Sequence, residues 1–192
     1  MNIGIDLDDT INNLADQFLY YAKKYNEEKS IKHVIQENEW DYDKAFGWSL
    51  EHQKNFYKTY IKDVLINATI KQNASEIINK LKEEGNKIII ITARCKENHK
   101  KMDEITKNWL EENNINYDKL VLNSDNIKAQ RCIENNIDVF IDDGINNCIQ
   151  VYEKLKIPTY MFNSIYNQKQ ENTHIKRVFS WKQIYDEIQK LL

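Results

Sequence analysis

Short apolar runs bounded by polar residues punctuate the chain at Asn2–Ile5, Lys87–Ile91, Asp138–Ile141 and Thr159–Phe162, with Lys119–Leu122 a shorter fifth. Runs rich in β-branched residues predict strands covered on both faces, because a strand with one face in water would alternate apolar and polar positions. Between the runs the apolar spacing lengthens to that of helices. Asn73-Ala74-Ser75-Glu76 reads as a capping box opening a helix that Gly85 closes. Met102, Ile105, Trp109 and Leu110 form one helical stripe over Met102–Glu112, and Lys128–Asn135 and Asn146–Lys156 follow as further helices. A second capping box, Ser180-Trp181-Lys182-Gln183, starts a last helix whose apolar face carries Ile184, Ile188 and Leu191.

Strands alternating with helices of this length predict an α/β fold, a Rossmann-like doubly wound parallel sheet. The stretch from Thr10 to about Leu65 departs from the pattern. It has no strand signal, reads as helix over Asp16–Tyr25 and Leu50–Val64, and joins them by the aromatic segment Trp40–Trp48. This predicts a small helical cap inserted after the first strand, with a core of residues 1–12 and 66–192 and a cap of residues 13–65.

Composition narrows the class. Of 192 residues, 41% are hydrophobic and 30% charged, enough apolar surface to offset the ordering of the chain and so not a disordered protein. No apolar run approaches the ~18–20 residues that cross a bilayer. The start, MNIGIDLDDT, has acids where a secretion signal needs basic residues and a long apolar stretch, so the expected location is cytoplasmic. The 27 basic and 30 acidic residues are interleaved, with no basic stripe for a nucleic-acid polymer. Cys95, Cys132 and Cys148 are far apart, and His33, His52, His99 and His174 never fall at ligand spacing. Any metal should therefore be a hard one held by carboxylates.

The candidate chemistry stands at the strand ends, where parallel sheets bind their ligands. The first strand runs into Asp6-Leu7-Asp8-Asp9-Thr10, the second into Thr92-Ala93-Arg94, and the fourth into Asp142-Asp143-Gly144, while Lys128 opens a helix just before. Several carboxylates in one cleft need a divalent cation, and oxygen ligands alone select Mg²⁺. A lysine, an arginine and a threonine facing the same point suit an anion of phosphate size. A carboxylate can attack phosphorus, and a second one can move the protons of the leaving group and of water.

Asp6-x-Asp8-x-Thr10, Thr92, Lys128 and Asp142-Asp143, in that order and each in its setting, resemble the four motifs of the haloacid-dehalogenase superfamily of phosphohydrolases. The insertion resembles the cap of many members. Ile91-Thr92-Ala93-Arg94 and the late Phe162-Asn163-Ser164-Ile165-Tyr166-Asn167, with Arg177 and Trp181, are similar to bacterial nucleotidases of the 5′(3′)-deoxyribonucleotidase type, except that Ile165 stands where proline is expected. The resemblance implies Asp6 as nucleophile and Asp8 as general acid/base. It implies Mg²⁺ held by the Asp6 carboxylate, the Asp8 carbonyl and one of Asp142 and Asp143, the other holding a metal-bound water. Thr92 and Lys128 would bind the phosphoryl group. Arg94, with no fixed family role, reads as a phosphate contact or an ion pair, and Asp9 has no assigned role. Phe18, Trp40 and Tyr42 read as substrate contacts that could stack on a base; the other reading of these aromatics, with Phe46 and Trp48, is a core for the cap itself.

The function expected is an Mg²⁺-dependent phosphomonoester hydrolase acting on (deoxy)nucleoside monophosphates through an aspartyl-phosphate. A phosphatase of sugar phosphates or other small metabolites is the alternative. A phospho-receiver domain would place its lysine after the last functional strand, and a non-catalytic module would not need every motif. The expected partner is a small phosphate monoester, with no nucleic acid polymer and no membrane, for a monomer or homodimer.

Overall fold

The structure, a computed structural model, describes residues 1–37, 39, 42–97, 99–124 and 126–191, and of Tyr42 only the backbone. Strands β1 (Asn2–Ile5), β2 (Lys87–Ile91), β3 (Lys119–Val121), β4 (Val139–Asp142), β5 (Thr159–Phe162) and β6 (Lys176–Val178) form a six-stranded sheet in the order β3-β2-β1-β4-β5-β6. Every pairing is parallel. The strand order reverses direction at β1, the position at which doubly wound sheets open a crevice.

The strands are legible because each face is covered. Ile3, Ile5, Ile88, Ile90, Val139 and Ile141 point to one side, where they pack with Ile77, Ile78 and Leu81 of α4 (Ala74–Glu83), Trp109 and Leu110 of α5 (Met102–Glu112) and Trp181, Ile184 and Ile188 of α8 (Trp181–Gln189). Ile89, Ile91 and Phe140 point to the other, against Ala129 and Cys132 of α6 (Lys128–Glu134) and Val151 of α7 (Ile145–Leu155). Each fully buried isoleucine contributes about 1.5–3 kcal/mol.

The stretch between β1 and α4 forms α1 (Leu14–Glu28), α2 (Tyr42–Phe46) and α3 (Leu50–Ile66). These helices gather around Phe18, Tyr25, Phe46, Trp48 and Phe56, and α3 meets α5 through Ile61 and Leu65 against Met102 and Ile105.

Four expectations change. Strand β6 has no apolar run, since only Val178 of its three residues is buried, and it exists through its pairing with β5. Asn73 does not cap α4 in the expected way. Its backbone is left-handed (φ 61°) rather than extended, and its amide donates to Glu76 at 3.0 Å instead of accepting from the helix. The box at Ser180 forms, with Ser180 accepting from Gln183 N–H at 3.2 Å, but the Gln183 side chain reaches one residue further back, to Phe179 N–H at 2.9 Å. Leu191 falls beyond the end of α8 and is 42% exposed, so it adds nothing to that helix's apolar face.

Candidate active site

The carboxyl ends of β1 and β4 place three acids together. Carboxylate oxygens of Asp6, Asp142 and Asp143 lie within 4.8 Å of one another. The Lys128 ammonium, at the first position of α6, sits between two of them, 2.6 Å from Asp6 Oδ1 and 2.5 Å from Asp142 Oδ2. All three members of that ion-paired set are buried.

Electrostatics here are decided by burial. It pushes the Asp6 carboxyl up to about 8 against the pull of Lys128, with Asp142 and Asp8 adding to the rise. Burial also drives Asp143 well up, and Asp9, Asp142 and Asp6 reinforce it. Burial lowers the Lys128 ammonium's affinity for its proton, but Asp142 and Asp6 more than reverse this and hold the proton on. One lysine thus faces a surplus of negative charge, which is the arrangement that favours an added cation.

Asp142 and Asp143 differ in what their oxygens already do. Asp142 Oδ1 accepts from Gly144 N–H at 2.7 Å and from the Asn147 amide at 3.1 Å, while Oδ2 takes Lys128. Gly144 is required for this, because a Cβ there would lie 2.9 Å from the Asn147 amide and 3.0 Å from Asp142 Oδ1. Asp143 as a residue keeps some exposure, while its carboxyl lies among Asp9, Asp142 and Asp6.

Asp8 follows Asp6 by two residues on the chain. Arg94 grips it with a fork, Nε to Oδ2 at 2.9 Å and Nη2 to Oδ1 at 2.7 Å, and Asn12 donates to Oδ1 at 3.0 Å. Burial raises the Asp8 carboxyl, but the Arg94 charge and hydrogen bonds outweigh it and hold Asp8 below the usual carboxylate range. Of the two readings of Arg94, the structure places it in an ion pair whose guanidinium is buried and whose carboxylate, Asp8, is partly exposed. Thr92 is buried at the end of β2, its hydroxyl accepting from Arg94 N–H at 3.3 Å.

Asp9 holds the start of the insertion. It is buried in the left-handed region (φ 56°), and its Oδ1 accepts from Ala15 N–H at 2.9 Å in the first turn of α1. Asn12 couples this turn to the site, since its Oδ1 accepts from Asp9 and Leu14 N–H while its amide holds Asp8. Asn12 and Asn147 were missed from the sequence; both are asparagines in the first turns after acidic strand ends, and that placement was the available signal.

The expected substrate contacts fare differently. Phe18 is 7% exposed, with its ring 4.9 Å from Phe56, 5.9 Å from Phe46 and 6.2 Å from Trp48. Its faces are occupied by the insertion's own core, because a small helical unit needs large side chains to bury enough area. Trp40 and the Tyr42 side chain lie outside the described residues.

Comparison with known proteins supplies an independent line. A family profile described as "5′ nucleotidase, deoxy (Pyrimidine), cytosolic type C protein" matches residues 1–192. The YqfW protein of Bacillus subtilis is 30% identical over 193 residues, covering 94% of this chain and 90% of its own. A nucleotidase of Clostridium acetobutylicum is 24% identical over 198 residues, covering 100% and 95%. Among solved structures, a haloacid dehalogenase-like hydrolase of Streptococcus pneumoniae superposes with a TM-score of 0.73 at 12% identity over 98% of both chains. A predicted phosphatase of Clostridium acetobutylicum gives 0.65 at 12%, again over 98% of both.

Proposed function

Since the chain belongs to the family of the deoxy, cytosolic type C 5′-nucleotidases and is a phosphoric monoester hydrolase, we propose that it hydrolyses (deoxy)nucleoside monophosphates by way of an aspartyl-phosphate on Asp6. The observation that carries this reading is the meeting of Asp6, Asp142 and Asp143 within 4.8 Å beside the Lys128 ammonium. The substrate class rests on family membership, because the aromatic ring of Phe18 is committed to packing.

The donor set fits Mg²⁺: oxygen donors only, with carboxylates in surplus over the local positive charge. Asp6, the Asp8 carbonyl and Asp143 would hold it, since the Asp142 oxygens are already engaged. When bound, Mg²⁺ would neutralise charge on the phosphoryl oxygens.

The residues of the chain do the rest. An Asp6 oxygen attacks phosphorus and the bond to the leaving oxygen breaks, with Asp8 giving that oxygen a proton. Water then attacks the phosphorus of the acyl-phosphate, Asp8 takes the water's proton, and Asp6 and inorganic phosphate are released. Lys128 and Thr92 hold the phosphoryl oxygens. The Arg94 fork aims Asp8. A bound phosphoryl group brings negative charge beside Asp8 and competes for Arg94, and both effects raise the carboxyl's affinity for the proton it must donate. The helical insertion of residues 13–65 acts as the cap over this edge, tied to Asp8 through Asn12.

Kinetics on a substrate panel with Mg²⁺ test the reading. Deoxynucleoside monophosphates are expected to show higher kcat/KM than hexose phosphates; the reverse order overturns the nucleotidase assignment. Chelator should abolish activity, Mg²⁺ should restore it and Zn²⁺ should restore it poorly, so full activity in chelator overturns the metal assignment. Asp8→Asn is expected to cost alkyl phosphates ~10²–10⁴-fold more than aryl phosphates, whose leaving groups need little protonation. Equal losses on both, measured as phosphoenzyme formation, would remove Asp8 from that role.

A further inference from the structure

In the connection from β5 to β6, the side chain of Asn167 touches the acidic turn. Asn167 is 3% exposed, and its amide gives one hydrogen to the backbone carbonyl of Asp143 at 2.7 Å and the other to Phe162 O at 2.8 Å. Its Oδ1 accepts from Ser164 N–H at 3.1 Å and from Arg177 Nη1 at 2.6 Å. Two donors and two lone pairs are thereby all used, so the amide has one orientation. A flip would set its oxygen against two carbonyls.

Arg177, on β6, is what holds that amide. Its Nη1 also reaches Asn163 Oδ1 at 2.9 Å, and its Nη2 donates to Asn167 O at 2.8 Å and to Gln170 O. The guanidinium fork thus closes the loop from both ends, which an ammonium on a flexible stem would do poorly.

The Asp142-Asp143-Gly144 turn needs such a hold. Strand β4 ends at Asp142 and helix α7 begins at Ile145, and the Gly144 carbonyl accepts the first bond of that helix, from Cys148 N–H at 3.0 Å, which leaves Asp143 as the residue outside both elements. Gly144 N–H and Asn147 lock the Asp142 side chain, and Asn167 locks the Asp143 backbone. We propose that Asn167, braced by Arg177, is a positioning residue that aims the Asp143 carboxylate at the cation site, so that the edge strand β6 sets metal affinity. The proposal rests on the reading of Asp143 as a cation ligand. Partners that orient a ligand typically change affinity 10- to 100-fold when removed.

Calorimetric titration of Mg²⁺ into the full chain tests it, comparing wild type with Asn167→Ala, Arg177→Lys and Asp143→Asn, each also melted in chelator. Asn167→Ala is expected to melt cooperatively and to bind Mg²⁺ ~10- to 100-fold more weakly, with Arg177→Lys between it and wild type. Affinity within about twofold of wild type in a folded Asn167→Ala overturns the brace. If that variant does not fold, Arg177→Lys decides: unchanged affinity with a lowered melting temperature overturns the brace, and weakened affinity supports it. A wild type that takes up no Mg²⁺, or an Asp143→Asn that binds as wild type does, overturns the Asp143 reading and the brace with it.

Discussion

Asp6→Asn is expected to lower turnover by ~10³-fold or more on every substrate, because the amide keeps the shape of the side chain but loses the attacking oxygen and one charge of the cation site. The loss should not come from misfolding. Asp6 is one of three acids around a single lysine, and burial raises its carboxyl to about 8. A carboxyl bound more tightly to its proton in the folded state than in the unfolded chain stabilises fully below its unfolded value of 3.8, and that stability is lost as pH rises through about 8. In chelator, the wild type should therefore lose stability between about pH 4 and 8, and Asp6→Asn should show a shallower decline. Thermal melts across that range check the sign, and stopped-flow or end-point phosphate release checks the activity. Near-normal turnover would exclude Asp6 as nucleophile.

Lys128→Met should unsettle both fold and chemistry. The lysine is 4% exposed and is the cation between Asp6 and Asp142, so removing it leaves two buried carboxylates facing each other. Breaking a buried ionic set in this way costs about 3–5 kcal/mol, which for a domain of this size lowers Tm by roughly 6–20 °C. Turnover should fall ~10²–10³-fold through loss of a preorganised donor to the phosphoryl oxygens. Added Mg²⁺ should recover part of the Tm loss, because it supplies positive charge to the same carboxylates, and none of the lost donor. Melts with chelator and with Mg²⁺ separate the two effects. A Tm within about 2 °C of wild type in chelator would show that Lys128 is not the counter-charge of this cluster.

The aromatic residues show where reading by composition stops. Phe18, Phe46 and Trp48 could equally have lined a base pocket or filled the interior of a small helical unit. Burial decides for the interior, with Trp48 fully buried and its indole N–H donating to Asn26 at 2.6 Å. A ring's identity says how much area it can bury, and only its neighbours say where. Strand β6 was hidden for a related reason: Lys176 and Arg177 carry no apolar signal, and their place in the sheet comes from β5 alone.

What the sequence determined by itself is local. Apolar runs of β-branched residues placed five of the six strands, and the acids, threonine and lysine at or near their carboxyl ends marked the chemistry, because strand periodicity and chain direction are properties of neighbouring residues. Which groups pair was decided by the tertiary structure. Arg94 reaches Asp8 across 86 positions, Lys128 reaches Asp6 across 122 and Asn167 reaches Asp143 across 24. Each contact exists only once the parallel sheet has brought the ends of β1, β2 and β4 to one edge and the β5–β6 loop over it. In that buried setting the loss of water makes each unpaired charge costly, so every arginine, lysine and asparagine there is drawn to a specific carboxylate or carbonyl that no local pattern could have named.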